Sequence, residues 1–140
     1  MTTTLNPSII GQVEKAHTAL LLRALGGTGV DEKQWITLNV AAGEAVERAE
    51  LVARVTHATQ VDAALIDAAV TALLAAELLT PLDSGVAVTD SGHALIGKVR
   101  GTTGSVVGRA YGDIPEADLA TAARVLSVIT ERMRDELTRL

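Results

Sequence analysis

The chain of 140 residues contains no cysteine and no phenylalanine, and its only aromatic side chains are Trp35 and Tyr111. Without cysteine there are no disulfides and no thiolate metal ligands, a composition that fits a reducing compartment. Without aromatics, a core must be assembled from Ala, Leu, Val and Ile, side chains that suit closely packed helices. Positive charge is missing over a long stretch. No Lys or Arg stands between Arg54 and Lys98, whereas Asp62, Asp67, Glu77, Asp83 and Asp90 do. The other twelve acids equal the twelve bases, so the net charge of −5 belongs wholly to that segment. A long apolar run is lacking too. The most hydrophobic stretch, residues 63–76, encloses Asp67 and is flanked by Asp62 and Glu77. A spanning helix needs about 20 apolar residues, and a central carboxylate costs ~2.5–3.5 kcal/mol on insertion, so a membrane role is rejected. The opening MTTTLNPSII has neither a basic nor a continuous apolar region, so no secretory signal is visible and a cytoplasmic location is expected.

Catalytic and metal-binding patterns are also missing. His17, His57 and His93 are far apart and match no ligand spacing, so neither a metal site nor a cofactor is expected. There is no nucleophile elbow, and an enzyme is not expected. The run GGTG at 26–29 lacks the Gly-Lys-Ser/Thr ending of a phosphate loop and reads as a linker between helices.

What is present is a sequence of helix signals. Asn6 before Pro7 starts a helix, with Ile10, Val13, Ala16, Leu20 and Leu21 recurring at helical spacing until Gly26. Asp31 and Gln34 form a capping-box pair ahead of Trp35, Leu38 and Ala42. A short extended piece is expected at 46–48, then a helix over about 49–56 with Leu51, Val52 and Val55 inward. Thr59 and Asp62 bracket the start of the next helix, on which Leu65, Ile66, Ala69, Leu73 and Ala76 recur. Pro81 ends it. Residues 79–82 and 86–88 then form a hairpin around Asp83-Ser84-Gly85. A long helix over about 90–111, opened by the pair Asp90 and His93, precedes a terminal one. That last helix carries the near-heptad stripe Leu119, Ala122, Leu126, Ile129, Met133, Leu137 and Leu140, which reads as a self-association surface. Gly97, Gly101, Gly104 and Gly108 fall on one face of the preceding helix. They mark either a loose or kinked helix or a groove free of side chains, because glycine costs about 1 kcal/mol per position against alanine.

A helix pair followed by a hairpin is a winged helix-turn-helix, and the flanking helices are left to form a dimerisation bundle. The chain resembles the multiple-antibiotic-resistance regulator (MarR) family of bacterial transcription factors over nearly its whole length. "DEKQWITL" looks like the family's second-helix opening, and "AELVARVTHATQVDAALIDAAVTALLAAELLT" is similar to its helix-turn-helix. "VTDSGHALI" looks like the segment that closes the wing and starts the fifth helix. The resemblance implies a mainly α fold in a single domain, 1–140. Its winged lobe, with a small β-hairpin wing, would cover about 30–90, and its N- and C-terminal dimerisation helices 5–26 and 90–140. It also implies a homodimeric, ligand-responsive repressor that binds double-stranded DNA and senses a small apolar or phenolic effector.

The chain departs from the family at the DNA-facing positions. The reading helix carries Asp62, Ala63, Ala64, Asp67 and Ala68, and the wing "PLDSGVAV" has no arginine. Groups left to meet DNA are His57, Thr59, Gln60 and Thr71, with Arg48, Arg54, Lys98 and Arg100 as cations at the rim. By the family's pocket position, His17, Leu21, Trp35 and Tyr111 line the effector space, while Leu119, Leu126, Ile129, Met133 and Leu137 form the dimer interface. The alternative is a winged-helix dimer that has lost DNA binding and takes a protein partner or small molecule instead.

Overall fold

The computed structural model describes residues 2–140, which divide into two compact units meeting in sequence between Gly104 and Ser105. Helix α1 (Pro7–Leu25) starts where Asn6 Oδ1 accepts from the Ile9 amide at 3.0 Å, with Pro7 in the first turn. Helix α2 (Glu32–Ala41) opens on the full capping box: Asp31 Oδ1 accepts from the Gln34 amide at 2.8 Å, and Gln34 Oε1 from the Asp31 amide at 3.3 Å. Both starts were legible from residue type alone, because capping satisfies amides that no helix can satisfy internally.

Helix α3 (Arg48–Thr59) runs three residues beyond the expected end at Thr56. It stops where Gln60 takes a left-handed conformation, φ 59°, and its amide closes on the Thr56 carbonyl at 2.8 Å. Helix α4 (Ala63–Ala75) follows after three residues, capped by Asp62 Oδ1 on the Ala64 amide at 3.0 Å. Its buried positions are Ile66, Ala69, Val70 and Leu73, the i, i+3, i+4, i+7 set of one face. Leu65 therefore corrects the sequence reading: it lies one position off that face and is 53% exposed, and Ala76 is exposed too.

Strands β1 (Leu79–Leu82) and β2 (Gly85–Val88) pair antiparallel, Leu79 opposite Val88 and Leu82 opposite Gly85, so the hairpin turns on Asp83 and Ser84 alone. Gly85 belongs to the strand. Its φ of 139° suits glycine, and a Cβ there would strike the Val46 carbonyl. The extended piece expected at 46–48 is reduced to that contact: Val46 and Val86 exchange both backbone bonds, at 3.1 and 2.8 Å, and Arg48 already belongs to α3.

In the first unit α2 packs on both α3 and α4, and α3 on α4. Leu38, Leu51, Val55, Ile66, Val70, Leu73, Leu79 and Val99 are essentially inaccessible, and Trp35 joins them as the single large ring. Helix α5 (Asp90–Tyr111) continues without interruption through its glycines. Its start is held by Thr89 rather than by a pair of Asp90 with His93: Thr89 Oγ1 accepts from the Gly92 amide at 3.0 Å and donates to the Glu77 carbonyl at 2.7 Å. Gly92 lies so close to the Leu78 carbonyl and Val88 that a Cβ has no room. The Thr-x-x-Gly spacing thus closes the wing onto the end of α4. In the second unit, helix α6 (Glu116–Leu137) buries no residue.

Candidate nucleic-acid interface

The order α3, tight turn, α4, hairpin defines a winged helix-turn-helix. Three residues shape the turn. Thr59 Oγ1 donates to the Val55 carbonyl at 2.7 Å and accepts from the Val61 amide at 3.2 Å. Gln60 donates its side-chain amide to the His57 carbonyl at 2.8 Å. Asp62 then caps α4. The polar groups of the turn are spent on winding it, a local use that these residue types favour.

Behind the turn, one cation spans the two helices. Arg48, in the first turn of α3, donates Nε to Asp67 Oδ1 at 2.9 Å. Its Nη2 donates to the Asp67 carbonyl at 3.1 Å and to Thr71 Oγ1 at 2.8 Å. Arg48 and Thr71, both candidates for DNA contact, are thereby brought together on Asp67. The pair stays open to water, with side chains 38% and 55% exposed, so its net strength is small, about 0–1 kcal/mol. Arg54 reaches back one turn to Glu50. Arg100 donates Nε and Nη2 to Asn39 Oδ1 at 2.9 and 2.5 Å, joining α5 to α2. Lys98 and His57 are exposed on α5 and on the last turn of α3. Outward from α4 stand Ala63, Ala64, Leu65 and Ala68, and Asp62, Asp67, Glu77, Asp83 and Asp90 are all exposed.

The four residues expected to line an effector space occupy different surroundings. Trp35 is in the core and Leu21 packs against that core. His17 is exposed one turn before Leu21, with Nδ1 2.7 Å from the Val13 carbonyl. Tyr111 ends α5 in the second unit, 37% exposed. Sequence reasoning missed a cleft of about 500 Å³ in the first unit. Its apolar wall is Ile36, Val55, Val61 and Ile66, with Glu14, Glu32, Lys33 and Thr59 also lining it. No single-element pattern signals it, because its walls come from four helices and the turn.

Apolar surface also remains on the terminal helices. Val13 and Leu22 of α1 are 47% and 52% exposed. On α6, Leu126, Met133 and Leu137 are 38%, 57% and 48% exposed, while Leu119 and Ile129 are half-buried. Among the described residues no group of three or more His, Asp or Glu is arranged to hold a metal ion, and no helix is long and apolar enough to cross a membrane.

The architecture has solved counterparts. A MarR-family transcriptional regulator from Rhodococcus sp. RHA1 superposes with a TM-score of 0.72 at 19% identity, covering 90% of this chain and 97% of that one. CouR from Rhodococcus jostii RHA1, solved with p-coumaroyl-CoA, gives a TM-score of 0.73 at 21% identity over 86% and 88% of the two chains. The MarR-family protein Rv2887 of Mycobacterium tuberculosis, solved with DNA, gives 0.67 at 15% identity over 91% and 98%. No protein-family model and no curated protein matches the sequence. The chain therefore has the winged-helix fold of the MarR-family regulators, at identities that speak for the fold alone.

Proposed function

We propose that this protein is a homodimeric DNA-binding transcriptional regulator, a ligand-responsive repressor, that presents α4 to the major groove. The observation that carries the reading is the lobe itself. A short helix follows a left-handed turn, with an exposed outer face and a hairpin after it. A structural neighbour solved with DNA supports it. Arg48, Arg54, Lys98 and Arg100 supply the attraction to phosphate, with His57, Thr59, Gln60 and Thr71 beside them. The open apolar stripes of α1 and α6 support a two-fold pairing through Leu119, Leu126, Ile129, Met133 and Leu137. A small apolar or phenolic effector is taken in the first unit, either beside His17, Leu21 and Trp35 or in the cleft beside the turn. The protein works without catalysis, in the cytoplasm.

The test is a salt titration of binding to duplex DNA from immediately upstream of its own coding sequence. Four cations per subunit, about eight phosphate contacts per dimer, give a log–log slope near −7. Replacing Arg54 by Ala flattens that slope without favouring any sequence. Absence of binding at low salt ends this reading. A second reading then stands, in which the lobe takes a basic partner instead of DNA. It is favoured by one observation: Arg48, at the rim of α4, is already bonded to Asp67, on a face that otherwise carries Thr71, acids and hydrocarbon.

A further inference from the structure

We infer that α4 recognises duplex DNA through the 5-methyl groups of thymine rather than through hydrogen bonds to base edges; the inference rests on the DNA-binding reading above. Base recognition by hydrogen bonding needs outward donors and acceptors, commonly Arg on guanine and Asn or Gln on adenine. At the front of this lobe those on Gln60 and on α4 are already engaged in bonds within the protein, and His57 is the side chain left over. Gln60 has its side-chain nitrogen on the His57 carbonyl, which breaks up the paired donor and acceptor that adenine requires. Asp62 holds the Ala64 amide, and Asp67 holds Arg48. Thr71 accepts from Arg48 and donates to the Asp67 carbonyl at 3.3 Å.

What projects between these groups is hydrocarbon. Ala64 and Ala68, at i and i+4, centre one exposed strip of α4, with Leu65 on its flank toward the start of α2, beside Asp31, Lys33 and Gln34, and Ala63 on the other flank. The major groove presents one apolar group on unmodified bases, the methyl on thymine C5. Alanines also keep the helix thin, so its backbone can approach the groove floor and seat Leu65 against that methyl. Burying one methyl-sized group gives about 0.8 kcal/mol, which is roughly fourfold in affinity.

The experiment starts with the full chain and a random duplex library, from which bound sequences are selected at low salt. A selected duplex is then compared with the same duplex carrying deoxyuridine in place of every thymidine. With one methyl contact per half-site, removing both lowers affinity roughly fifteenfold. Leu65→Ala, at a position outside the core, binds the thymidine duplex more weakly and loses most of that difference. Equal affinity for the two duplexes, with the protein still binding DNA, overturns methyl recognition and leaves the regulator reading intact. If the native chain retains no duplex, both readings fall, and the α4 face is left to a basic protein.

Discussion

Replacing Gly101 and Gly104 by alanine should stabilise the protein, although glycine at these positions first suggests a groove that needs to stay empty. A Cβ built at Gly97, Gly101, Gly104 or Gly108 meets nothing within 4 Å, and all four positions are exposed. In the interior of a helix each glycine costs about 0.8–1.0 kcal/mol relative to alanine, chiefly as backbone freedom lost on folding. Gly101→Ala and Gly104→Ala together should therefore add about 2 kcal/mol, or about 3 °C in Tm for each change in a domain of this size. Gly92→Ala, on the same helix, is the control with opposite sign. Its Cβ would lie 2.6 Å from Val88 Cγ1 and closer still to the Leu78 carbonyl, and such overpacking costs about 1–3 kcal/mol. Urea denaturation of the three variants at two protein concentrations checks both halves. A Gly101→Ala or Gly104→Ala variant less stable than the native chain would refute the reasoning, since it would show that something outside the chain is seated on the stripe.

Leu126→Asp should convert the native dimer to monomers, because it places a charge in the proposed α6 interface; sedimentation equilibrium at micromolar concentration checks this, and a monomeric native chain contradicts it. Asp67→Asn should change stability by less than about 1 kcal/mol, given the open Arg48 pair, yet tighten binding to unrelated DNA, since it removes one repelling charge and releases Arg48. Asp62→Asn removes a charge without releasing an arginine and should tighten binding less; fluorescence anisotropy of the two variants separates the effects. Leu51→Ala, at a fully buried position, should cost about 2–5 kcal/mol in the same urea assay.

The elements that were legible in the sequence are those settled within a few residues. Asn6 and Pro7, and Asp31 and Gln34, each act on their own backbone, so residue type and spacing sufficed, whereas α4 ends at Ala75, well before Pro81, which lies within β1. Burial was read less well where two faces compete: Leu65 is as apolar as Ile66, and only the direction of the α2 and α3 contacts decides which of them turns inward. The candidate site was the least legible part. Arg48 finds Asp67 across 19 residues and Arg100 finds Asn39 across 61, pairings that depend on how helices cross and leave no periodic trace. Thr89 shows the same limit at short range. Its place in a Thr-x-x-Gly spacing was visible, but its bond to the Glu77 carbonyl exists only once the hairpin has closed.

The separation of faces on α4 bears on how this protein diversifies. Ile66, Ala69, Val70 and Leu73 hold the helix to the lobe, while Ala63, Ala64, Leu65 and Ala68 lie outside the core. Mutations at those outer four positions are therefore filtered by what the helix touches and hardly at all by whether the chain folds. A lineage can drift through many outer faces without passing through an unfolded intermediate, and a combinatorial library built on those positions would keep nearly all of its members folded.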